Sequence, residues 1–252
     1  MRYGAVKALL SLLFVLPLEA KARCIVHDVQ QGETWRGISI QYYKSPYRVK
    51  DLLVQNNFPR KLLAGSRVYI YIPTEDDWQA ACENAISWRL SMRRRYDRIP
   101  TFIQAIPQAI QQVFPSISPE RKLDLCISAL VTAEQETMYE FMIGSAGEVG
   151  IYQFKLDTVR LTGRQTKVLS IASENDEYLV RLLLDPLEAT KVFLLHYMYL
   201  LQRYEYSHRL AWRRYNNGSM AEAYAERAMD KYTTITRQKL FNCQKFLNGE
   251  LP

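Results

Sequence analysis

A chain of 252 residues is long enough for one large domain, or for a moderate domain plus a small one. Its 48% hydrophobic and 23% charged residues exclude a disordered chain. The net charge of +7 favours anionic surroundings: nucleic acid, a membrane face or an acidic cell-wall polymer. With no base-reading motif and no basic-aromatic platform in the sequence, nucleic acid is not the expected partner.

Residues 1–22 read as a secretion signal. Arg2 and Lys7 flank the start, an apolar run extends from Ala8 to Leu16, Pro17 breaks it, and Ala20-Lys21-Ala22 has the small-x-small form of a cleavage site. The run falls short of the roughly 20 apolar residues that span a bilayer. Arg23 before Cys24 is a poor lipobox residue, so export without a stable membrane anchor is expected. Cys24, Cys82, Cys126 and Cys243 would then meet an oxidising compartment, where an even count suggests two disulfides. Of the three pairings, Cys24–Cys82 and Cys126–Cys243 are favoured, because the first pair brackets a candidate small domain and the second lies in the remainder. The cysteine spacings match no zinc pattern, and neither a metal nor a cofactor is expected.

From His27 to Pro73 the pattern changes every dozen residues. His27-Asp28-Val29-Gln30 alternates as a short strand, Gly32-Glu33-Thr34 turns the chain, and Trp35, Ile38, Ile40 and Tyr42 give a short helix. Leu52-Leu53 through Asn56-Asn57 ends a second helix, and Val68 to Pro73 is a β-branched, aromatic closing strand. The segments Val29-x-x-Gly32-Glu33-Thr34, Ile38, Leu52-Leu53-x-x-Asn56-Asn57, Leu63 to Ser66 with Gly65 at the turn, and Ile72-Pro73 together resemble a LysM module, the small βααβ domain that grips N-acetylglucosamine-containing glycans. The resemblance implies a domain over 24–82, with Gly32, Glu33, Thr34, Asn56 and Phe58 at the sugar. Gly32 and Gly65 have a plain structural reason as well, since tight turns favour glycine.

Residues 83–99 read as a linker helix, and Arg93-Arg94-Arg95 within it as a solvated face. Beyond Pro100 the chain reads as helical throughout. Ser118-Pro119-Glu120 starts a helix whose Leu123, Leu125, Ile127, Ala129, Leu130 and Val131 leave no polar side, so it belongs at a domain centre. Asp185-Pro186-Leu187-Glu188 starts another, with Asp185 as cap. A helix through Trp212 ends at Asn216-Asn217-Gly218, and a last one runs through Tyr224 to Tyr232. His27, His196 and His208 show no ligand or triad spacing and read as structural or exposed.

The central helix ends in Glu134-Gln135-Glu136-Thr137. Two glutamates in an apolar setting suggest chemistry, because burying an unpaired carboxylate is costly. Residues two apart on a helix point about 200° from each other, so they are not a facing pair, and periodicity does not choose between them. Gln135-Glu136-Thr137, then Ser145-Ala146-Gly147-Glu148-Val149-Gly150-Ile151-Tyr152-Gln153, then Tyr215-Asn216-Asn217-Gly218, with Asp185-Pro186 between, resemble the ordered motifs of the soluble lytic transglycosylases, which share the goose-type lysozyme architecture. The stretch before Gln153 is one residue short of the family pattern, and Tyr152 stands where methionine is usual.

That resemblance, over roughly residues 100–245, implies a mainly α protein: an all-helical, lysozyme-like catalytic domain at 100–252 preceded by the small LysM domain. It implies Glu136 as the catalytic acid and then base, and Thr137, Tyr152, Gln153, Tyr215 and Asn216 as substrate-binding residues. A helix C-terminus and apolar neighbours such as Tyr139, Phe141, Tyr152 and Phe154 would raise the carboxyl pKa. The implied reaction cleaves the MurNAc–GlcNAc β-1,4 bond of peptidoglycan strands in the periplasm or cell wall and closes a 1,6-anhydro ring. A hydrolytic muramidase and a non-catalytic peptidoglycan-binding scaffold are the alternatives. Cell-wall or secretion-machinery proteins are the partner proteins such an enzyme would meet.

Overall fold

The computed structural model describes residues 23–43, 46–49, 52–53, 56, 61–72 and 74–239. The expected signal segment, Phe58 and Cys243 lie outside them. The structure is mainly helical, with one two-stranded antiparallel sheet.

Strands β1 (Arg23–Asp28) and β2 (Arg67–Ile72) pair from Arg23 opposite Ile72 to Asp28 opposite Arg67. Helix α1 (Trp35–Tyr43) lies between them in sequence, and Val49, Leu52 and Leu53 are helical as well. Val29, Ile38, Leu52, Val68 and Ile70 form a small core of their own. β1 begins four residues before the expected strand, because its pairing with β2 continues back to Arg23. The chain reverses between β1 and α1 at Gly32, whose φ of 85° suits glycine. The Thr34 hydroxyl then accepts from the Gly37 amide at 3.0 Å, capping α1.

Helix α2 (Glu75–Met92) is not a linker. It starts at a capping box in which Thr74 accepts from the Asp77 amide and the Asp77 carboxylate accepts from the Thr74 amide. Trp78, Cys82, Ile86 and Leu90, spaced by four, sit fully inside the large core. The remaining helices are α3 (Ile99–Val113), α4 (Pro119–Thr137), α5 (Leu156–Thr166), α6 (Leu169–Ser173), α7 (Asp176–Leu184), α8 (Pro186–Arg203), α9 (His208–Tyr215) and α10 (Ala221–Lys239). α4 is central, touching α2, α3, α8 and α10. From Lys122 to Glu134 every one of its residues but Asp124 is buried. Even Lys122 is enclosed, donating to Gln111 Oε1 at 3.0 Å and lying over the Trp78 ring. Ser118 stands at the expected N-cap, yet its side chain makes no capping hydrogen bond. Asp185 does cap α8, accepting from the Glu188 amide at 2.8 Å.

The packing of α2 on α4 also decides the cysteines. Cys82 and Cys126 are fully buried on facing helices and form a disulfide, which rules out both favoured pairs. Cys24 is disulfide-bonded too. The three arginines follow the end of α2 rather than lying on a helix face. Arg93 reaches Glu134, Arg95 reaches Glu140, and Arg94 takes the left-handed conformation that turns the chain toward α3.

Candidate active site at the end of the central helix

The two glutamates near the end of α4 lie in opposite environments. Glu134 has no exposed side-chain surface and faces α2. Arg89 donates to both of its oxygens at 2.5 and 2.8 Å, Arg93 donates twice to Oε1, and Tyr139 donates to Oε2 at 2.9 Å. The Lys231 ammonium lies 3.4 Å away. Burial alone would raise the Glu134 pKa; the Arg89 hydrogen bond, the charges of Lys231 and Arg89, and the Tyr139 hydroxyl outweigh it and bring it to about 2. Glu134 is a carboxylate at neutral pH.

Glu136 faces α10 and is partly exposed. Tyr224 donates to its Oε1 at 2.5 Å. Burial raises its pKa most; the Tyr224 hydrogen bond and the Lys231 charge oppose this, the Glu148 carboxylate adds to it, and the net shift is upward. The Tyr224 hydroxyl is itself held protonated by burial and by the Glu136 charge, so it stays a donor. The site thus offers a carboxyl with a raised pKa beside a second carboxylate, open to solvent on one side. Such a group can give a proton to a leaving oxygen and take one back.

A loop brought back against α4 forms the wall beside Glu136. Met138 and Tyr139, both at positive φ, reverse the chain after Thr137. The Thr137 hydroxyl, hydrogen-bonded to the Ala133 and Ile151 carbonyls, ties the returning loop to the helix. Gly150 has a φ of 78°, and a Cβ there would overlap the Leu183 carbonyl, so only glycine fits. Val149 bridges to both Ile143 and Phe154, and Gln153, at a φ of 50°, donates to the Gly150 carbonyl at 2.7 Å. A Cβ at Gly144 would come within 2.5 Å of Gln153 Oε1 and 2.9 Å of Glu148 Oε2, so both side chains gather over that glycine.

The chain matches no protein-family model, no curated protein and no solved structure.

Several expected substrate contacts turn out to be framework. Tyr152 is fully buried, stacked on Phe193 at 4.5 Å with its hydroxyl 3.2 Å from Thr190. Phe193 stacks in turn on Tyr197, so a three-ring column anchors the loop to α8. Tyr215 donates to the Tyr152 carbonyl at 2.6 Å, and its ring packs edge-on against Phe154 and His196. Thr137 is committed to two carbonyls, and Asn216 caps the end of α9. Gln153, half-buried beside Glu148, is the expected contact that keeps an amide near solvent. Tyr139, expected to desolvate Glu136, serves Glu134 instead, and Phe141 packs with it on Phe102.

Three neighbours that act on Glu136 escape a sequence reading. Tyr224 and Lys231 come from α10, 88 residues or more beyond Glu136, with no local pattern linking them to it. Glu148 stands inside a motif stretch, but its closeness to Glu136 depends on the loop's return path.

In the small unit, the side chains of Glu33, Thr34 and Asn56 make internal hydrogen bonds. Glu33 accepts from the Gln30 amide at 2.7 Å and pairs with His27 at 2.8 Å. Thr34 caps α1. Asn56 donates to the Leu52 and Tyr69 carbonyls and accepts from the Tyr69 amide, which locks the second helical segment to β2. Of the other histidines, His196 is buried, with its pKa lowered to about 4 by desolvation, and takes part in a hydrogen bond with Thr162. His208 stacks on Tyr232. Among the described residues no His, Cys, Asp and Glu group is arranged to hold a metal ion, and no helix is long and apolar enough to cross a membrane.

Proposed function

We propose that the chain is an exported peptidoglycan lytic transglycosylase, with Glu136 as its single acid–base residue and a LysM module at its N-terminus. The observation that carries this reading is the division between the two glutamates. Glu134 is neutralised by three cations, whereas Glu136 is half-buried, raised in pKa and reachable from solvent. A carboxyl whose pKa burial raises is better suited than an ordinary one to protonate a glycosidic oxygen.

The step balances without water. Glu136 gives its proton to the leaving O4 of N-acetylglucosamine as the C1–O4 bond breaks, and becomes a carboxylate. That carboxylate then takes the proton of the muramic acid C6 hydroxyl as O6 bonds to C1, closing the 1,6-anhydro ring and restoring the acid. Tyr224 holds the Glu136 oxygen in place through both halves. Support for the glycan-binding module rests on the βααβ order and on the turns at Gly32 and Gly65. Support for export rests on residues 1–22 and on the Cys82–Cys126 disulfide.

A hydrolytic muramidase is the second reading, favoured by Glu148, a second carboxylate close enough to raise the Glu136 pKa. Digestion of purified sacculi separates the two by mass spectrometry of the products: anhydro-ended muropeptides are expected, and reducing ends would establish hydrolysis. Glu136→Gln should release neither. Full activity in that variant would remove Glu136 from the chemistry, and no release by the wild-type protein would leave a binding scaffold.

A further inference from the structure

A cavity of about 740 Å³ lies at the seam between the small unit and the helical one, away from Glu136. It takes Tyr43 and Arg48 from the first unit and the rest of its lining from α4, α8, α9, α10 and the turns between them. Asp124 joins the two sides: Arg48 donates to its Oδ2, and Tyr232 donates to its Oδ1 at 2.9 Å. Asp124 and Glu136 are twelve residues apart on α4, about 18 Å along the axis at 1.5 Å per residue. The same two helices therefore serve both places, Tyr224 of α10 meeting Glu136 and Tyr232 meeting Asp124.

The lining speaks for one ligand class. Leu125, Met198 and Leu201 give buried apolar surface, while Glu205, Glu226 and Asp230 stand exposed on the lining. Counting lining side chains, five carboxylates (Glu120, Asp124, Glu205, Glu226, Asp230) face three arginines (Arg48, Arg121, Arg209), a balance of minus two in a chain of net charge +7. That sign disfavours phosphate-bearing and polyanionic ligands. The tyrosines are orientated in advance: Arg48 lies over Tyr43, Arg121 over Tyr206, and His208 against Tyr232. Tyrosine rings beside carboxylate acceptors and arginine donors suit an uncharged, polyhydroxylated ligand with an apolar ring face and many hydroxyl groups. The volume lies within the usual range of small-molecule sites, which favour the seams between units.

We infer that this cavity is a second glycan subsite, which holds an uncharged N-acetylhexosamine oligosaccharide between the two units, remote from the bond that is cut. The inference rests on the glycan-cleaving reading for its biological sense, and its test stands apart from catalysis. Hydrogen exchange of the full chain, with and without the N-acetylglucosamine tetramer, should show protection at residues 204–210 and 226–232. Isothermal titration of the Glu226→Ala/Asp230→Ala variant should weaken tetramer binding at least fivefold and abolish that protection. Both side chains are exposed on α10, and alanine favours helix, so the variant should fold; Tyr204→Ala, from the opposite wall, is the independent check. Protection confined to residues 29–34 and 136–154, or an affinity unchanged in both variants, would overturn the inference. The two readings fail separately. Loss of tetramer binding in the variants of a protein that cuts no sacculi would keep the subsite and refute the transglycosylase, and cleavage with no cavity protection would do the reverse.

Discussion

Replacing Glu134 by glutamine tests the division of labour at the end of α4. The change keeps shape and volume but removes the negative charge that, among the described residues, Arg89, Arg93 and Lys231 share within 4 Å. A carboxyl held at about 2 instead of 4.5 contributes roughly 3 kcal/mol of stability at neutral pH, at about 1.4 kcal/mol per pH unit. Removal of one partner from a buried ion pair costs a similar amount, about 3–5 kcal/mol, because the buried Arg89 guanidinium stays desolvated. The folded pKa is below the unfolded one, so this stability is present above pH 4.5 and lost as the pH falls toward 2. Urea denaturation of wild type and Glu134→Gln between pH 7 and pH 2 is the assay. The variant should be less stable by about 3 kcal/mol at pH 7, and the gap should close between pH 4.5 and pH 2. A variant as stable as wild type, or a gap that does not change with pH, would refute the cluster as the cause of the low pKa.

Tyr224→Phe removes the hydrogen bond that lowers the Glu136 pKa, so the basic limb of kcat/KM on sacculi should move to higher pH, and an unmoved limb would show that this bond does not act on the titrating group. Reduction of the Cys82–Cys126 bond, or its replacement by paired alanines, should lower unfolding stability by about 4 kcal/mol on the loop-entropy scale, as read by denaturant titration; an unchanged midpoint would remove the bond from the fold's support. Gly144→Ala pushes on Gln153 and Glu148, whose side-chain ends can give way, so it should change the thermal midpoint little while lowering turnover at least tenfold. A variant with full turnover would show that neither side chain needs its present position.

The helices were legible where local chemistry alone determines them. α4 announces itself through an apolar sequence on all sides, and α8 through the Asp185 cap and Pro186, which already carry their hydrogen-bond logic within four residues. The βααβ order was equally visible, because alternation and turn glycines are short-range signals. The place of α2 in the core was not, since Gln79, Glu83, Asn84 and Arg89 interrupt the pattern around Trp78, Cys82, Ile86 and Leu90, and the neighbour that covers them comes from more than forty positions later. The cysteine pairing failed for the same reason. Bracketing in sequence says which residues lie in one segment, whereas a disulfide requires two Cα atoms within about 7 Å, and only the packing of α2 on α4 supplies that.

The choice between Glu134 and Glu136 shows where the site itself ceased to be readable. On an isolated helix the two carboxyls are equivalent: both lie in the last turn, both feel the negative end of the dipole, and both would be raised by burial. What separates them is the supply of cations. Arg89 and Arg93 reach Glu134 from 45 and 41 residues upstream, at the end of the helix that the sequence presents as a linker. Glu136 receives one phenol from 88 residues downstream and the opposing charge of Glu148. Desolvation is the largest influence on each glutamate and pushes both the same way, so the guanidinium hydrogen bonds reverse the outcome at one position and leave it standing at the other. The arginine pair, Arg89 buried and Arg93 at the surface, thus does two things at once. It permits a charged side chain in the centre of the domain, and it leaves the raised pKa to the carboxyl on the solvent side, the position where a proton can be exchanged.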